Sequence, residues 1–418
     1  MNILFVDMHN GLGGHTRTAT TIAQALQRRG HHVSFAVVKG SVTKVIDDAD
    51  LKTYSIYPGW AGRYPALGKF IHDLHKRGEV DVVHSFSRRG VPEAAQAAKE
   101  LGVPVFQTIC GGRPPKTVVE TKPIISLSQE IKDSLLGRTA LKDGDIEVIP
   151  ARLDFEALLG REKDETLAQR FREKYSLPPS SKIVLRIARV AKEYKGALLQ
   201  SADAVAQLHK EGHDVRFVHI GFVPSGDEVL FREVKAHFSD INRAAGVTLA
   251  VSAQDEASHA SDYIGLADVI VGLGRTAFEG MFFRKPVALV GTSGFAGLIG
   301  RNNTKQLAFY NFSGRHLKED KSYEQSLTEL TETLRELLSD EELRTRLGEF
   351  GRTYVLENLD ANVAARRYEA LYEAFSPTDY PSDEQLAEHL KITPRRFLKA
   401  LLPKSLHRYY AKLRYSQS

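Results

Sequence analysis

The sequence predicts an α/β protein made of two Rossmann-like domains, and three observations lead to this fold class. Short apolar segments typical of buried strands alternate with amphipathic helices along most of the chain. A length of 418 residues is too great for one ordinary domain and comfortable for two. The alternation is interrupted by a charged segment over residues 156–180 and then restarts, which indicates a second domain.

The first domain is predicted over residues 1–178. Its expected strands cover residues 2–6, 33–38, 52–57, 81–87, 104–109, 123–128 and 146–150. Two helices between them are expected at residues 19–27, which Gly30 ends, and at residues 93–101, which Gly102 ends. Strands and helices that alternate in this way favour a parallel sheet with helices on both faces.

The second domain is predicted over residues 179–355. Its expected strands cover residues 182–189, 214–221, 247–251, 268–272 and 286–290, and its expected helices cover residues 197–209, 323–338 and 340–350. Three further segments complete the chain. A helix at 361–375 falls in the segment 356–378, which is expected to return to the first domain. Residues 376–383 are a predicted linker, and residues 379–418 are predicted to be a basic, amphipathic helical extension.

The composition indicates a cytoplasmic protein. A hydrophobic content of 42% and a charged content of 26% are typical of soluble globular domains. Cys110 is the single cysteine, so no disulfide can form within the chain, which fits a reducing compartment. Residues 1–6 lead directly into a strand pattern rather than a signal peptide, and no apolar stretch is long enough to span a bilayer.

The positive charge is concentrated at the C-terminal end of the chain. No acidic residue follows Glu388, and eight bases do: Lys391, Arg395, Arg396, Lys399, Lys404, Arg408, Lys412 and Arg414. The net charge is +5, so the rest of the chain carries −3. Bases interleaved with aromatic residues favour an anionic membrane surface as the partner of residues 391–418. A docked helix or a disordered tail is the main alternative, and nucleic acid is disfavoured.

A glycine-rich turn is the first candidate binding motif. The first strand is followed by Gly11-Leu12-Gly13-Gly14-His15-Thr16, just before a helix. Glycines at this place let backbone N–H groups approach a phosphate at the positive end of the helix. The spacing departs from the dinucleotide fingerprint, because Thr16 stands where the third glycine would be and no acid follows the second strand at Lys39. A tight turn without a ligand is the alternative.

Two further motifs lie in the second domain at the ends of predicted strands. Arg189 and Lys195 follow one strand, where they could clamp a diphosphate and stabilise it as a leaving group. A solvated basic loop is the alternative there. The other motif is Gly272-Leu273-Gly274-Arg275-Thr276-Ala277-Phe278-Glu279-Gly280. Its Glu279 could accept hydrogen bonds from ribose hydroxyls, although Thr276 and Glu279 also match a capping box.

The acidic and histidine patterns predict no metal site. The pair Asp143 and Asp145 reads as a turn before a strand, and Asp48 and Asp50 lie in a polar connection. The fifteen histidines form no zinc-like spacing with Cys110.

Further motifs occur in a fixed order along the chain: Gly30-His31-His32-Val33, Asp81-Val82-Val83-His84, Gly102-Val103-Pro104-Val105, Ile149-Pro150, Ala267-Asp268-Val269 and Lys285-Pro286-Val287. Together with Gly13-Gly14, Arg189, Lys195-Gly196 and Glu279, they resemble the retaining glycosyltransferases of the GT-B fold, specifically family 4 (glycosyl transferases group 1). The resemblance covers most of residues 1–375. It implies two facing Rossmann-like domains with a cleft between them, the first on the acceptor side and the second on the donor side.

The resemblance also implies roles for individual residues. Arg189, Lys195 and Glu279 would be the catalytic set, in which the two bases bind the donor diphosphate and Glu279 binds the ribose. The donor-binding residues would also include Gly13, Gly14, Gly274, Arg275 and Thr276. The acceptor-side candidates are His15, His84 and Cys110. Enzymes of this group need neither a metal nor another cofactor, and the nucleotide sugar is a substrate.

Two positions depart from the family pattern. The family usually has a glutamate eight positions before Glu279, where this chain has Val271, and many members have a histidine in the segment that here contains Cys110. Gly274-Arg275 before the helix of Glu279 and the segment Cys110-Gly111-Gly112 resemble a divergent branch associated with cell-surface polysaccharide assembly.

The leading hypothesis is a hexosyltransferase that uses a nucleotide sugar and acts with retention. Its acceptor would be a glycan or lipid-linked molecule of bacterial lipopolysaccharide or capsule synthesis, at the inner face of the cell membrane. The alternatives are a GT-B-fold nucleotide-sugar 2-epimerase and a non-catalytic protein that binds sugar or scaffolds an assembly complex.

Overall fold

The computed structural model describes residues 1–9, 13–39, 41–112, 114–160, 165–221, 223–224, 226–246, 249–252, 260–317 and 319–391. The chain divides into two compact units. Unit one contains Met1–Leu127, Ile131–Ile149 and the segment that begins at Ala365. Unit two contains Ser128–Glu130 and Pro150–Ala364.

Unit one is built on a seven-stranded parallel sheet. Its strands are β1 (Asn2–Asp7), β2 (His32–Val37), β3 (Lys52–Ser55), β4 (Val82–Ser85), β5 (Val105–Ile109), β6 (Ile124–Ser126) and β7 (Ile146–Val148). They lie in the order β3-β2-β1-β4-β5-β6-β7. The central strands are buried almost throughout, because helices cover both faces of the sheet and continuous apolar strands suit that position. All seven strands lie where the sequence predicts them.

The helices around this sheet are α1 (Gly14–Arg28), α2 (Ser41–Asp47), α3 (Pro65–Lys76), α4 (Val91–Leu101) and α5 (Gln129–Leu136). Helices α3 and α4 pack on one face of the sheet in a core that includes Leu4, Val83 and Val105. Helix α4 starts with Pro92 in its first turn and ends at Gly102 in the left-handed conformation, as its sequence signals require.

Unit two is built on a six-stranded sheet. Its strands are β8 (Lys182–Ile187), β9 (Val215–Ile220), β10 (Leu249–Ser252), β11 (Val269–Gly272), β12 (Val287–Gly291) and β13 (Gly294–Leu298), in the order β10-β9-β8-β11-β12-β13. Five strands are parallel, and β13 runs antiparallel to β12. The sequence pattern does not predict β13, because Gly294 and Gly297 carry no strand signal.

Ten helices are assigned to the rest of the described chain: α6 (Phe155–Leu159), α7 (Glu165–Lys174), α8 (Lys195–Lys210), α9 (Glu228–Ala245), α10 (Arg275–Phe282), α11 (Thr304–Phe309), α12 (Tyr323–Ser339), α13 (Glu341–Asn358), α14 (Ala361–Glu373) and α15 (Asp383–Leu390). The two-domain α/β prediction is confirmed. Of these helices, α6, α7, α9 and α11 were not predicted. The charged sequences of α7 and α9 resemble connections more than buried helices. No helix among the described residues has the length and apolar character needed to cross a membrane.

The boundary between the units differs from the predicted one at residue 178. Residues 150–178 group with unit two because α7 packs there. The Phe171 and Tyr263 rings lie 5.0 Å apart, and Arg172 donates a hydrogen bond of 2.6 Å to the carbonyl of Pro178. The charged segment that looked like an exit from the first domain is therefore an amphipathic helix of the second unit.

The prediction for residues 379–418 needs a correction at its start. Residues 383–390 form α15, a helix with Asp383 and Glu384 in its first turn, and not part of a basic tail. Lys99 pairs with Asp383 at 2.7 Å, and the Tyr380 hydroxyl donates to the carbonyl of Val103 at 2.9 Å. Leu386 completes the attachment because it is buried in the core of unit one. The basic stretch from residue 392 onward lies outside the described residues.

Replacing Leu386 by alanine should lower the free energy of unfolding by about 2–4 kcal/mol, because it removes a buried leucine from a packed core. Glu388→Ala is the matched control on an exposed face of the same helix, and should change stability by less than about 0.5 kcal/mol. Urea unfolding of the full-length chain measures both. Equal effects of the two substitutions would contradict the docking of α15.

Candidate functional site

The strand order of unit two places a binding crevice outside the carboxyl ends of β8 and β11. The chain runs from β8 to β9 and β10 on one side, whereas β11 lies on the other side of β8. Ligands of open α/β sheets bind where the strand order reverses in this way. The Thr276 hydroxyl donates a hydrogen bond of 3.1 Å to the carbonyl of Ile187 and so joins the ends of these two strands.

The turn between β11 and α10 is shaped by glycine. Gly274 precedes the helix with φ 54° and ψ −125°, a conformation that L side chains rarely adopt. A side chain at Gly272 would also crowd Thr276, whose Cγ2 would lie 3.0 Å from the added Cβ. The backbone is therefore bare at the start of α10, where the first N–H groups of a helix favour a negatively charged ligand.

Arg189 and Lys195 both follow β8, and both side chains are about half exposed. The Arg189 guanidinium lies 3.3 Å from a Glu193 carboxylate oxygen. The Lys195 ammonium lies 2.8 Å from a Glu233 carboxylate oxygen. Exposed ion pairs of this kind contribute little to stability, so a diphosphate could replace either carboxylate at small cost. The predicted clamp residues thus lie beside the crevice.

Glu279 is buried and makes two side-chain contacts. One carboxylate oxygen accepts from the Ser261 hydroxyl at 2.8 Å, and the other accepts from Arg275 Nε at 2.7 Å. The capping-box interpretation of Thr276 and Glu279 is wrong, because Gly274 is the residue that caps α10 and Thr276 bonds to the end of β8. No sequence pattern predicts the contact with Ser261, which lies eighteen positions before Glu279.

Val271 lies in β11 and is fully buried in the apolar core of unit two. The position at which the family resemblance implies a glutamate therefore offers no polar side chain to a sugar.

Unit one has its own crevice, outside the carboxyl ends of β1 and β4, where the strand order of its sheet reverses. The N–H group of Met8 donates to the Ser87 hydroxyl at 2.8 Å and joins the two chain segments. Gly13 caps α1 in an extended conformation. A Cβ added to Gly13 would lie 2.8 Å from His15 Nδ1, so the glycine makes room for that imidazole.

A buried carboxylate organises this crevice. Asp7 accepts from the Thr16 hydroxyl at 3.0 Å and from the N–H group of His9 at 3.2 Å. His15 Nε2 lies 3.5 Å from the same carboxylate. Burial raises the pKa of Asp7, and burial together with the charge of His15 lowers the pKa of His9 to about 4.

Asp7, His9 and His15 each offer a ligand atom within 4.8 Å of the others, a grouping that could hold a metal ion. The spacing along the chain did not predict this cluster. The positive charges of Arg88 and Arg89 also act on His9, where they lower its pKa. The same charges would oppose a metal cation at this position.

His84 lies in the core of unit one, where an acceptor cannot reach it. Its Nδ1 lies 2.7 Å from the Tyr372 hydroxyl, and its Nε2 lies 2.8 Å from the Thr108 hydroxyl. Complete burial lowers the pKa of His84 to about 3, so the imidazole is neutral. The acceptor-side prediction for His84 is corrected to a structural role.

Cys110 follows β5 at the same edge of the sheet as Asp7. Burial, with a smaller effect of the Asp7 charge, raises the pKa of its thiol well above the usual value. The thiol contacts the carbonyl of Thr108 at 3.7 Å. Cys110 therefore stays protonated near neutral pH and is a poor nucleophile.

A cavity of about 460 Å³ lies elsewhere on unit one. Its lining comes from α3, α4 and their flanks, for example Lys69, His72 and Gln96, together with Leu390. It contains none of the predicted site residues, so the two crevices remain the candidate site.

Part of unit one matches a known protein family. Residues 13–142, which begin at the glycine turn, match the sequence model described as the glycosyl transferase 4-like domain. This match covers less than a third of the 418-residue chain. The predicted resemblance to family 4 glycosyltransferases is confirmed. No curated protein sequence matches the chain significantly.

Solved structures show that the glycosyl transferase 4-like domain is part of a GT-B fold. A glycosyltransferase from Rickettsia africae is 19% identical, with a TM-score of 0.69 over 89% of this chain and 97% of that chain. Anabaena HepE, solved with UDP and glucose, is 15% identical, with a TM-score of 0.65 over 90% and 100%. A Listeria monocytogenes protein provisionally assigned as a UDP-N-acetylglucosamine 2-epimerase is 12% identical, with a TM-score of 0.57 over 91% and 98%. At these identities the similarity establishes the fold.

Proposed function

We propose that this protein transfers a sugar from a nucleotide-sugar donor to a glycan or lipid-linked acceptor. One observation carries the proposal. The crevice of unit two combines two basic side chains, a bare glycine turn and a helix start, in a chain whose first unit contains a glycosyl transferase 4-like domain. The complex of Anabaena HepE with UDP and glucose supports a uridine nucleotide as the first donor to test.

The donor diphosphate would bind between Arg189, Lys195 and the start of α10. Each base would exchange its exposed carboxylate partner for a phosphate oxygen, which gains a charge-assisted hydrogen bond. Negative charge accumulates on the diphosphate as the bond to the sugar breaks. Fixed positive groups therefore stabilise the transition state more than the ground state, which is the condition for catalysis.

Glu279 would bind the donor ribose by exchanging one of its present partners. The Ser261 hydroxyl is neutral and can rotate away, whereas Arg275 also donates to the carbonyl of Arg152 at 3.1 Å and is held more firmly. We therefore expect the oxygen that now accepts from Ser261 to receive the ribose hydroxyl.

The acceptor would bind at the crevice of unit one, near Gly14, His15 and Cys110. His15 is partly exposed, and its Nε2 lies 3.5 Å from the buried Asp7 carboxylate, which can orient the imidazole. An acceptor hydroxyl could hydrogen-bond to this imidazole.

We also propose a pathway and a location for this activity. We infer a hexosyltransferase of bacterial surface polysaccharide synthesis that acts with retention and without a metal. It would work in the cytoplasm at the inner face of the membrane, with residues 391–418 on the anionic lipid surface. The support is the family resemblance and the eight bases that follow the last acidic residue.

The test is acceptor-dependent release of the nucleotide from a panel of UDP- and GDP-sugars, with bacterial membranes as the source of acceptor. We expect release with one donor and incorporation of its labelled sugar, and no release when membranes are omitted. Conversion of the donor without nucleotide release would instead support the epimerase. No turnover with any donor, together with no thermal shift by UDP or GDP, would contradict the enzymatic function. The non-catalytic scaffold would then be the remaining hypothesis.

A further inference from the structure

Two adjacent arginines, Arg88 and Arg89, lie at the edge of unit one where its strands end. They follow β4 in the turn that leads to α4, and both side chains are exposed. Within the described residues, neither guanidinium has a carboxylate or hydrogen-bond partner. Arg63 of the same unit, by contrast, pairs with Glu93 at 2.7 Å. The two arginines are therefore available to an anionic ligand.

The turn that carries these arginines is held against the crevice of unit one. The Ser87 hydroxyl accepts from the N–H group of Met8 at 2.8 Å and donates to the carbonyl of Arg89 at 3.0 Å. Gly90 has φ 80°, and a Cβ added there would lie 2.8 Å from Met8 Cγ, so only glycine fits against that side chain. Met8 directly precedes His9 in the chain. The backbone from which the arginines project is thus fixed beside the crevice.

The charges of the two arginines reach into this crevice. Burial lowers the pKa of His9 most, and the charges of Arg89 and Arg88 are among the further causes. Such effects weaken with distance, so both guanidinium groups lie near the His9 ring. The ring centroids of His9 and His15 lie 4.7 Å apart. Asp7 of the same crevice is fully buried, so a ligand that arrives from solvent meets the exposed arginines first.

We propose that Arg88 and Arg89 bind a phosphate group of the acceptor and so hold its reacting hydroxyl near His15. The inference rests on the proposed function and deepens it, because it assigns the acceptor to the phosphorylated glycans or phosphorylated lipid carriers. Two adjacent guanidinium groups match a phosphate dianion better than the single charge of a carboxylate, and each can donate parallel hydrogen bonds to phosphate oxygens. Two like charges side by side also repel each other, and a bound anion offsets that repulsion.

The experiment measures the binding of phosphate compounds by titration calorimetry, without a nucleotide sugar. All proteins are full length and carry Arg189→Ala and Lys195→Ala, so that the proposed diphosphate site of unit two does not contribute. The probes are glucose 6-phosphate and geranyl phosphate, with glucose and geraniol as their neutral counterparts. We expect saturable binding of at least one phosphate, and a preference between the two shows whether a sugar or a lipid carries the group. Because the assay contains no donor, its failure is independent of a failure of the transferase assay.

Matched variants separate this site from general surface charge. Arg88→Gln combined with Arg89→Gln should raise the Kd of the bound phosphate probe by about tenfold or more, because charge-assisted hydrogen bonds are lost. Lys76→Gln combined with Arg77→Gln is the control and should leave the Kd unchanged. These two bases are also adjacent and exposed, but they lie between the end of α3 and the start of β4, at the opposite edge of the sheet. No saturable binding of either phosphate, equal loss of binding in both double variants, or equally tight binding of the neutral compounds would each overturn the proposal.

Discussion

Replacing Lys195 by alanine is expected to reduce kcat/KM for sugar transfer by about 10²–10³-fold, the usual cost of removing one fixed group that stabilises transition-state charge. The Lys195 ammonium lies beside the crevice at the ends of β8 and β11 and forms an exposed pair with Glu233. Its loss should lower kcat as well as raise KM, because charge on the diphosphate grows during the reaction. Steady-state kinetics with the donor identified by the panel measures both parameters.

Two variants serve as controls for this effect. Lys210→Ala removes a base from the opposite end of α8 and should leave the kinetics unchanged, since that end lies away from the crevice. Glu233→Gln frees Lys195 from its present partner and should leave kcat/KM the same or raise it slightly. If Lys195→Ala retains full activity, or if Lys210→Ala loses as much, the diphosphate clamp is refuted.

The fold could be predicted because its signals are local. Buried parallel strands read as continuous apolar runs, so the buried strands of the sheet in unit one could be located from their local sequence pattern. The site could be predicted in part for the same reason. Arg189, Lys195 and Gly274 follow strand ends, and the ligand-binding edge of a parallel sheet is where strands end.

The remaining features depend on contacts between distant residues. His84 looks like a site residue in sequence because it ends a strand, but Tyr372 bonds to it from 288 positions away and closes it into the core. The sequence predicts the residues of helix α15 as part of a basic amphipathic tail, because Leu386 alone carries little signal and its pocket is formed by distant helices. A local sequence pattern can predict a helix or a strand, but the role of a residue in it depends on the distant residues that it contacts.

Arg186 is a buried charge that the sequence pattern did not reveal. It lies in β8 directly beside His219 of β9 and is fully buried. One guanidinium nitrogen lies 3.4 Å from the carbonyl of Val290. Nε and the other terminal nitrogen have no hydrogen-bond partner within the described residues. Burial lowers the pKa of Arg186 to about 10, so the side chain stays charged at neutral pH.

This charge has no evident compensation from its neighbour. Burial, reinforced by the charge of Arg186, lowers the pKa of His219 to about 3, so the imidazole is neutral. No anionic partner of Arg186 lies among the described residues, and a buried cation without one costs free energy in the folded state. Arg186 lies near the carboxyl end of β8, three residues before Arg189, where its field would favour a bound diphosphate. We therefore expect Arg186 to lower the stability of the folded protein and to raise its affinity for the donor.

Arg186→Met should raise the free energy of unfolding by about 1–4 kcal/mol, because it replaces an unpaired buried charge by an apolar chain of similar length. The same variant should bind the donor nucleotide more weakly, because the positive charge near the diphosphate is lost. A substitution that improved packing alone would leave nucleotide affinity unchanged. Urea unfolding and nucleotide titration on one preparation measure the two effects. Lys182→Met in the same strand is the control, since Lys182 is exposed and its pair with Asp268 at 3.3 Å contributes little. A less stable Arg186→Met protein would show that the folded protein compensates the guanidinium, and unchanged nucleotide affinity would show that its charge does not reach the crevice.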